Sequence, residues 1–126
     1  MRDQIITMLL AFDITGVSND PLLDIVITNV QWRIKDLTNL QEIPKGLESL
    51  AVSMAVGEYL NMKKCSGQLE GFDLEAAIKQ IQEGDTNITF AVGDGSQTPE
   101  QRLTALIDYL INGRIGEIYR YRRIVW

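Results

Sequence analysis

An aspartate and a proline followed by a single apolar arc constrain this fold more than any other stretch. Asp20 offers an N-cap carboxylate, and Pro21 has its φ already set for a first helical turn. Beyond them Leu23, Val26, Ile27, Val30 and Ile34 recur at helical spacing and fall in one narrow arc. The period predicts a helix from about 21 to 36. Ile25 and Trp32 lie almost opposite that arc. A helix with apolar groups on two opposed faces packs against two things. The second is either another subunit or the protein's own loops, and the pattern alone admits both.

The same period recurs elsewhere. Ile5, Met8, Leu9 and Phe12 form one stripe of a short helix over 2–12, with Ile6 and Leu10 to its side. Asp13 to Gly16 end it, and residues 17–20 connect it to the next helix. A third helix is expected from near Pro44 to about Lys64. Leu47, Leu50, Ala51, Met54, Ala55, Tyr59 and Met62, with Val52 and Val56, cover more than half its circumference, as a central core helix requires. Ser49, Ser53 and Gly57 occupy its remaining side, where small residues let another helix approach closely. Glu58 falls at the edge of the apolar arc and reads as a paired or snorkelling side chain rather than a catalytic acid. Lys63, Lys64 and Gly67 are stop signals. Thr98-Pro99-Glu100-Gln101 is a capping box with proline at the first helical position. The helix that follows carries Leu103, Leu106, Ile107, Leu110 and Ile111 on one face and stops at Asn112-Gly113.

Residues 77–91 break this pattern. With Glu83-Gly84 as a two-residue turn, Ile81, Ile88 and Phe90 share one side, and Gln80, Asn87 and Thr89 the other. This reads as a β-hairpin with an apolar face and a polar edge. The competing reading is a helix running to Gln82, since Leu74, Ala77, Ile78 and Ile81 also sit at helical spacing. Residues 115–126 are rich in aromatic and β-branched side chains and read as extended or as a strand. The expected fold is therefore mainly α. It is one domain over 1–126, a four-helix bundle-like body with one β-hairpin at about 77–91 and an extended C-terminal tail.

Charge is unevenly placed. Residues 1–113 carry a net −8 and residues 114–126 a net +3. An acidic body argues against a broad DNA-binding face. The chain has no histidine, which removes Ser-His-Asp and Cys-His catalysis and most zinc sites. Cys65 is the single cysteine and has neither a base nor a resolving partner. The Gly93-Asp94-Gly95-Ser96 loop lacks the lysine of a phosphate-binding loop, and Asp85 with Asp94 is too sparse a set for calcium. No catalytic residue, cofactor or metal site is therefore expected. No apolar run is long enough for a membrane span and the start of the chain has no signal-peptide layout, so no membrane partner is expected and the cytoplasm is the simplest location.

The end of the chain is the exception. Tyr119, Arg120, Tyr121, Arg122 and Arg123 alternate aromatic with basic character and lead to Ile124, Val125 and Trp126. Such a segment suits a protein interface, docking on its own acidic body, or a nucleic-acid backbone. With Trp32 and the polar edge of Gln80, Asn87 and Thr89, these residues form the candidate interaction surface.

Three stretches together, 81–90, Thr98 to Leu103 and Tyr121 to Trp126, with the helices opening at Asp20 and running over 46–61, resemble the small head–tail connector (head-completion adaptor) proteins of tailed bacteriophages and prophages. The likeness spans most of the chain and rests on layout and short motifs. It implies a small helical bundle with a projecting loop or hairpin, assembled as a homo-oligomeric ring of about twelve copies. It further implies a structural, non-enzymatic role in the virion connector, assembled in the bacterial cytoplasm. The implied partners are the portal, the next connector or tail component, and DNA passing through the channel without sequence-specific binding. An acidic wall fits such a conduit, since DNA must slide rather than stick. The resemblance supplies no active site. The alternative is a small helical binding module, such as a nucleic-acid-associated regulator acting through its basic end.

Overall fold

The computed structural model describes residues 1–12, 14, 16–67 and 99–121, with the backbone alone at Pro99 and Glu100. It is mainly helical, and no strand occurs among the described residues. The expected hairpin at 77–91 lies outside them.

Helix α1 runs over Arg2–Ala11 and buries Ile5 and Leu9, with Phe12 just beyond its end. Gly16 then takes a left-handed φ of 75°, which turns the chain into a short 3-10 turn at Val17–Asn19. Helix α2 spans Pro21–Thr38. The Asp20 side chain accepts a hydrogen bond from the Leu22 amide at 2.9 Å, so the cap expected from sequence forms. Its inner face buries Leu23, Val26, Val30 and Ile34, with Ile27 partly covered. The helix continues two residues past the expected end. Thr38 extends it by donating from its hydroxyl to the Ile34 carbonyl at 2.7 Å, and Asn39 stops it at φ 57°.

A 3-10 turn at Lys45–Leu47 leads into helix α3, Glu48–Cys65. This is the central helix. It contacts α1, α2 and the helix Pro99–Asn112, here called α4. Leu50, Ala51, Met54, Ala55, Val56, Tyr59 and Leu60 are buried along it. Gly57 is buried too, for a different reason. A Cβ there would lie 2.8 Å from both Leu110 Cβ and Ile111 Cγ1 of α4. The small-residue side of α3 is thus where α4 lies closest. Leu106, Ile107 and Leu110 complete that contact, with Leu103 and Ile111 partly buried at its margins.

Up to Tyr121, the C-terminal segment corrects the expectation that 115–126 is extended; residues 122–126 lie outside the described residues. Gly116–Tyr119 forms one helical turn, α5, packed on α2. Two interactions, one distant in sequence and one local, outweigh the β propensity of these residues, which is a weak prior beside packing. Ile118 is fully buried in the common core. Arg114 grips the Glu117 carboxylate with two nitrogens, at 2.6 and 3.1 Å, and closes the turn. The same guanidinium donates to Ser49 Oγ at 3.2 Å, which ties the segment to the start of α3.

Candidate interaction surface

The outer face of α2 is built by the same register that forms its inner face. The arc that buries Val30 and Ile34 turns Ile25 and Trp32 outward, 54% and 61% exposed. Of the two readings left open for Trp32, cover by the protein's own loops is excluded among the described residues. Lys35 lies one turn on and places its ammonium 5.5 Å from the indole centroid. Asp36 is exposed beside it and has no salt bridge among the described residues. Trp32, Lys35 and Asp36 border a shallow open groove of about 410 Å³ with Asn39, Leu40 and Gln41. The positive φ of Asn39 turns the chain there and so shapes the far wall.

The second part of the surface is the C-terminal end. Tyr119 is 51% exposed, Tyr121 is 39% exposed, and Arg120 is exposed between them. Tyr121 rests against the body at Gly46, where a Cβ would overlap its hydroxyl. The end of the chain thus starts from a fixed point beside the 3-10 turn. Arg122, Arg123 and Trp126 lie outside the described residues, as do Gln80, Asn87 and Thr89.

At the other end of α2, Asp20 organises a polar node. Its Oδ2 accepts from Tyr59 Oη at 2.8 Å and from Lys63 Nζ at 2.7 Å, while Oδ1 caps α2. The Lys63 hydrogen bond, with those from Leu22 and Tyr59, holds the Asp20 carboxyl below its usual range despite partial burial. Burial, and then the adjacent carboxylate, push the Tyr59 phenol up. The node locks the α2 N-terminus onto α3 and has no open approach for chemistry at Tyr59, which is buried. Sequence reading identified the cap and missed Tyr59 and Lys63 as its partners. Their spacing on α3 puts them on one face, but nothing in the sequence joins that face to Asp20.

Glu58 sits where the sequence placed it, at a core edge. Arg33 approaches to 4.0 Å and also donates to Asn112 Oδ1 at 3.3 Å, so α2, α3 and α4 meet there. Burial raises the Glu58 carboxyl above its ordinary value, and Arg33 offsets part of that rise. Cys65 is exposed with a free thiol. Among the described residues no cluster of three metal-ligating side chains occurs, and no helix is long and apolar enough to cross a membrane. Compared with known protein families, curated proteins and solved structures, the chain matches none.

Proposed function

We propose that the protein is a structural component of a phage or prophage virion, a head–tail connector that assembles as a ring on the portal and lengthens the DNA channel. One observation carries most weight beside the resemblance. Helix α2 buries one complete face in its own core and presents Ile25 and Trp32 on the opposite one. A large exposed indole on a rigid helix suits an anchor at a protein interface. In this reading the bundle is a passive scaffold without catalytic, cofactor or metal chemistry. Trp32, Tyr119, Arg120 and Tyr121, with Arg122, Arg123, Trp126 and, from the segment 77–91, Gln80, Asn87 and Thr89, meet other copies, the portal or the next connector component. DNA passes without sequence-specific contact, and the virion is the final location.

The test is electron microscopy and light scattering of the purified protein, alone and mixed with portal rings. Rings, or stable addition to the portal, are expected. A monomer that never joins a portal ends this reading. A second reading, a helical module bound to nucleic acid through its basic end, draws on the exposure of Tyr119, Arg120 and Tyr121. Salt-sensitive DNA binding that disappears on deleting 120–126 would favour it.

A further inference from the structure

We propose that two copies of this chain pair through the outer face of α2, the two helices running antiparallel about a two-fold axis level with Thr28 and Asn29. Such a pair is isologous, whereas a ring grows by heterologous contacts. The proposal therefore adds a contact that the ring reading does not supply, and each can fail without the other.

The face has the self-complementarity that this axis demands. Ile25 and Trp32 share one side of the helix, two turns and about 10.5 Å apart along it. With the axis midway between them, Ile25 of each copy comes opposite Trp32 of the other. Both exposed apolar side chains are then covered at once. Thr28 is exposed between them and meets Thr28 of the second copy across the axis. Charge follows the same symmetry. Asp24 and Lys35 lie on one flank of the stripe, towards opposite ends of α2. Turning the second helix end for end brings its Lys35 alongside Asp24, and the pairing occurs twice. The Asp24 side chain is 70% exposed even with Arg2 bound, so its carboxylate can accept a second cation. Lys35 holds its ammonium 5.5 Å from the indole centroid, which keeps the charge beside the stripe.

The ends of the helix decide its orientation in the pair. Asp36 sits in the last turn of α2, where the helix dipole disfavours an anion. It is exposed and makes no salt bridge among the described residues. In the antiparallel pair it lies near Pro21 of the second copy, at the positive end of that helix. A parallel pair would instead set Asp36 against its own counterpart and lay the two dipoles side by side in the same sense. The face is also presented ready-made. The opposite side of α2 is anchored in the core, and Tyr59 and Lys63 hold its N-cap, so little has to be ordered on pairing.

The test is disulfide trapping in the full chain carrying Cys65→Ser. At an interaxial distance of about 8–10 Å, two copies of Thr28→Cys stand with their Cα atoms about 6 Å apart, within disulfide reach. Two copies of Ile25→Cys are separated by about 10 Å along the helix and cannot be bridged. Both sites are exposed, and circular dichroism melts check that folding is kept. On mild oxidation Thr28→Cys is expected to run as a covalent dimer and nothing larger on a non-reducing gel, while Ile25→Cys stays single. Adding Trp32→Ser to Thr28→Cys should slow trapping about tenfold or more. Sedimentation velocity of the Cys65→Ser chain, with and without Trp32→Ser, should show the dimer dissociation constant rising by a similar factor. Ile25→Cys trapped as readily as Thr28→Cys overturns the antiparallel pair. A chain that stays monomeric and untrapped at all concentrations overturns the proposal, and leaves the face to residues 68–98 of the same chain or to another protein such as the portal. Trapping indifferent to Trp32→Ser overturns the indole as the anchor. Addition to portal rings, scored separately by electron microscopy, bears on the ring reading alone.

Discussion

Tyr59 Oη donates a 2.8 Å hydrogen bond to Asp20 Oδ2 and thereby joins α3 to the N-cap of α2. The bond adds a polar tie between α2 and α3 to the apolar packing of the inner face of α2. Removing the hydroxyl in Tyr59→Phe should cost about 1.5–3 kcal/mol, as expected for a hydrogen bond to a charged acceptor. Asp20→Ala removes the cap and the Asp20–Lys63 ion pair as well, so about 2–4 kcal/mol is expected. Urea unfolding of the three proteins measures both, and equal stabilities would remove the node from the account.

The node also sets an acid response. The Asp20 carboxyl is lowered by Lys63, and the Glu117 carboxyl by Arg114. Each contributes stability that is present above its unfolded pKa, about 3.9 for Asp and 4.3 for Glu, and is lost as pH falls through the lower folded value. Glu58 has the opposite sign, because its folded pKa is raised. Its charged form weakens the fold above that raised value, and the penalty is relieved as pH drops towards the unfolded one. Asp20→Asn should flatten the acid limb of a stability–pH curve. Glu58→Gln should raise stability near pH 7 and leave that acid limb in place. Denaturant midpoints across a pH series read out both.

The contact at Gly57 predicts an unusual cost for adding one methyl group. Alanine is the better helix former by about 1 kcal/mol. At Gly57, however, its Cβ would press on Leu110 and Ile111 at 2.8 Å. Overpacking of this kind costs about 1–3 kcal/mol, so Gly57→Ala should be net destabilising or at best neutral. A clear gain in melting temperature would show that α4 does not lie as described.

Asn39 closes α2 at φ 57°, the one positive φ among the described non-glycine residues. Asn39→Gly should therefore be neutral or slightly stabilising. Asn39→Val should lose about 1–2 kcal/mol, because a β-branched residue resists that conformation. Thermal melts of the pair decide it.

The parts of this fold that sequence revealed are those governed by local rules. The cap at Asp20, the arc from Leu23 to Ile34 and the core character of α3 all follow from periodicity and end signals. Periodicity also set Trp32 opposite the buried arc, but whether loops covered it was open until the structure showed it 61% exposed. What remained hidden depends on contacts distant in sequence. Tyr121 on Gly46 and Tyr59 on Asp20 leave no local trace, and Ile118 is helical because it is buried against α2. Propensity alone makes 115–126 read as extended, whereas Gly116–Tyr119 is helical because packing and the Arg114–Glu117 fork outweigh that propensity.

The account stands most directly on Trp32→Ala, followed by light scattering for assembly and by denaturant unfolding of the monomer. With the indole 61% exposed, the folded monomer should change by no more than about 0.5 kcal/mol, while assembly weakens markedly. A monomer destabilised by about 3–5 kcal/mol, as for a core tryptophan, or assembly as strong as that of the wild type, would contradict it.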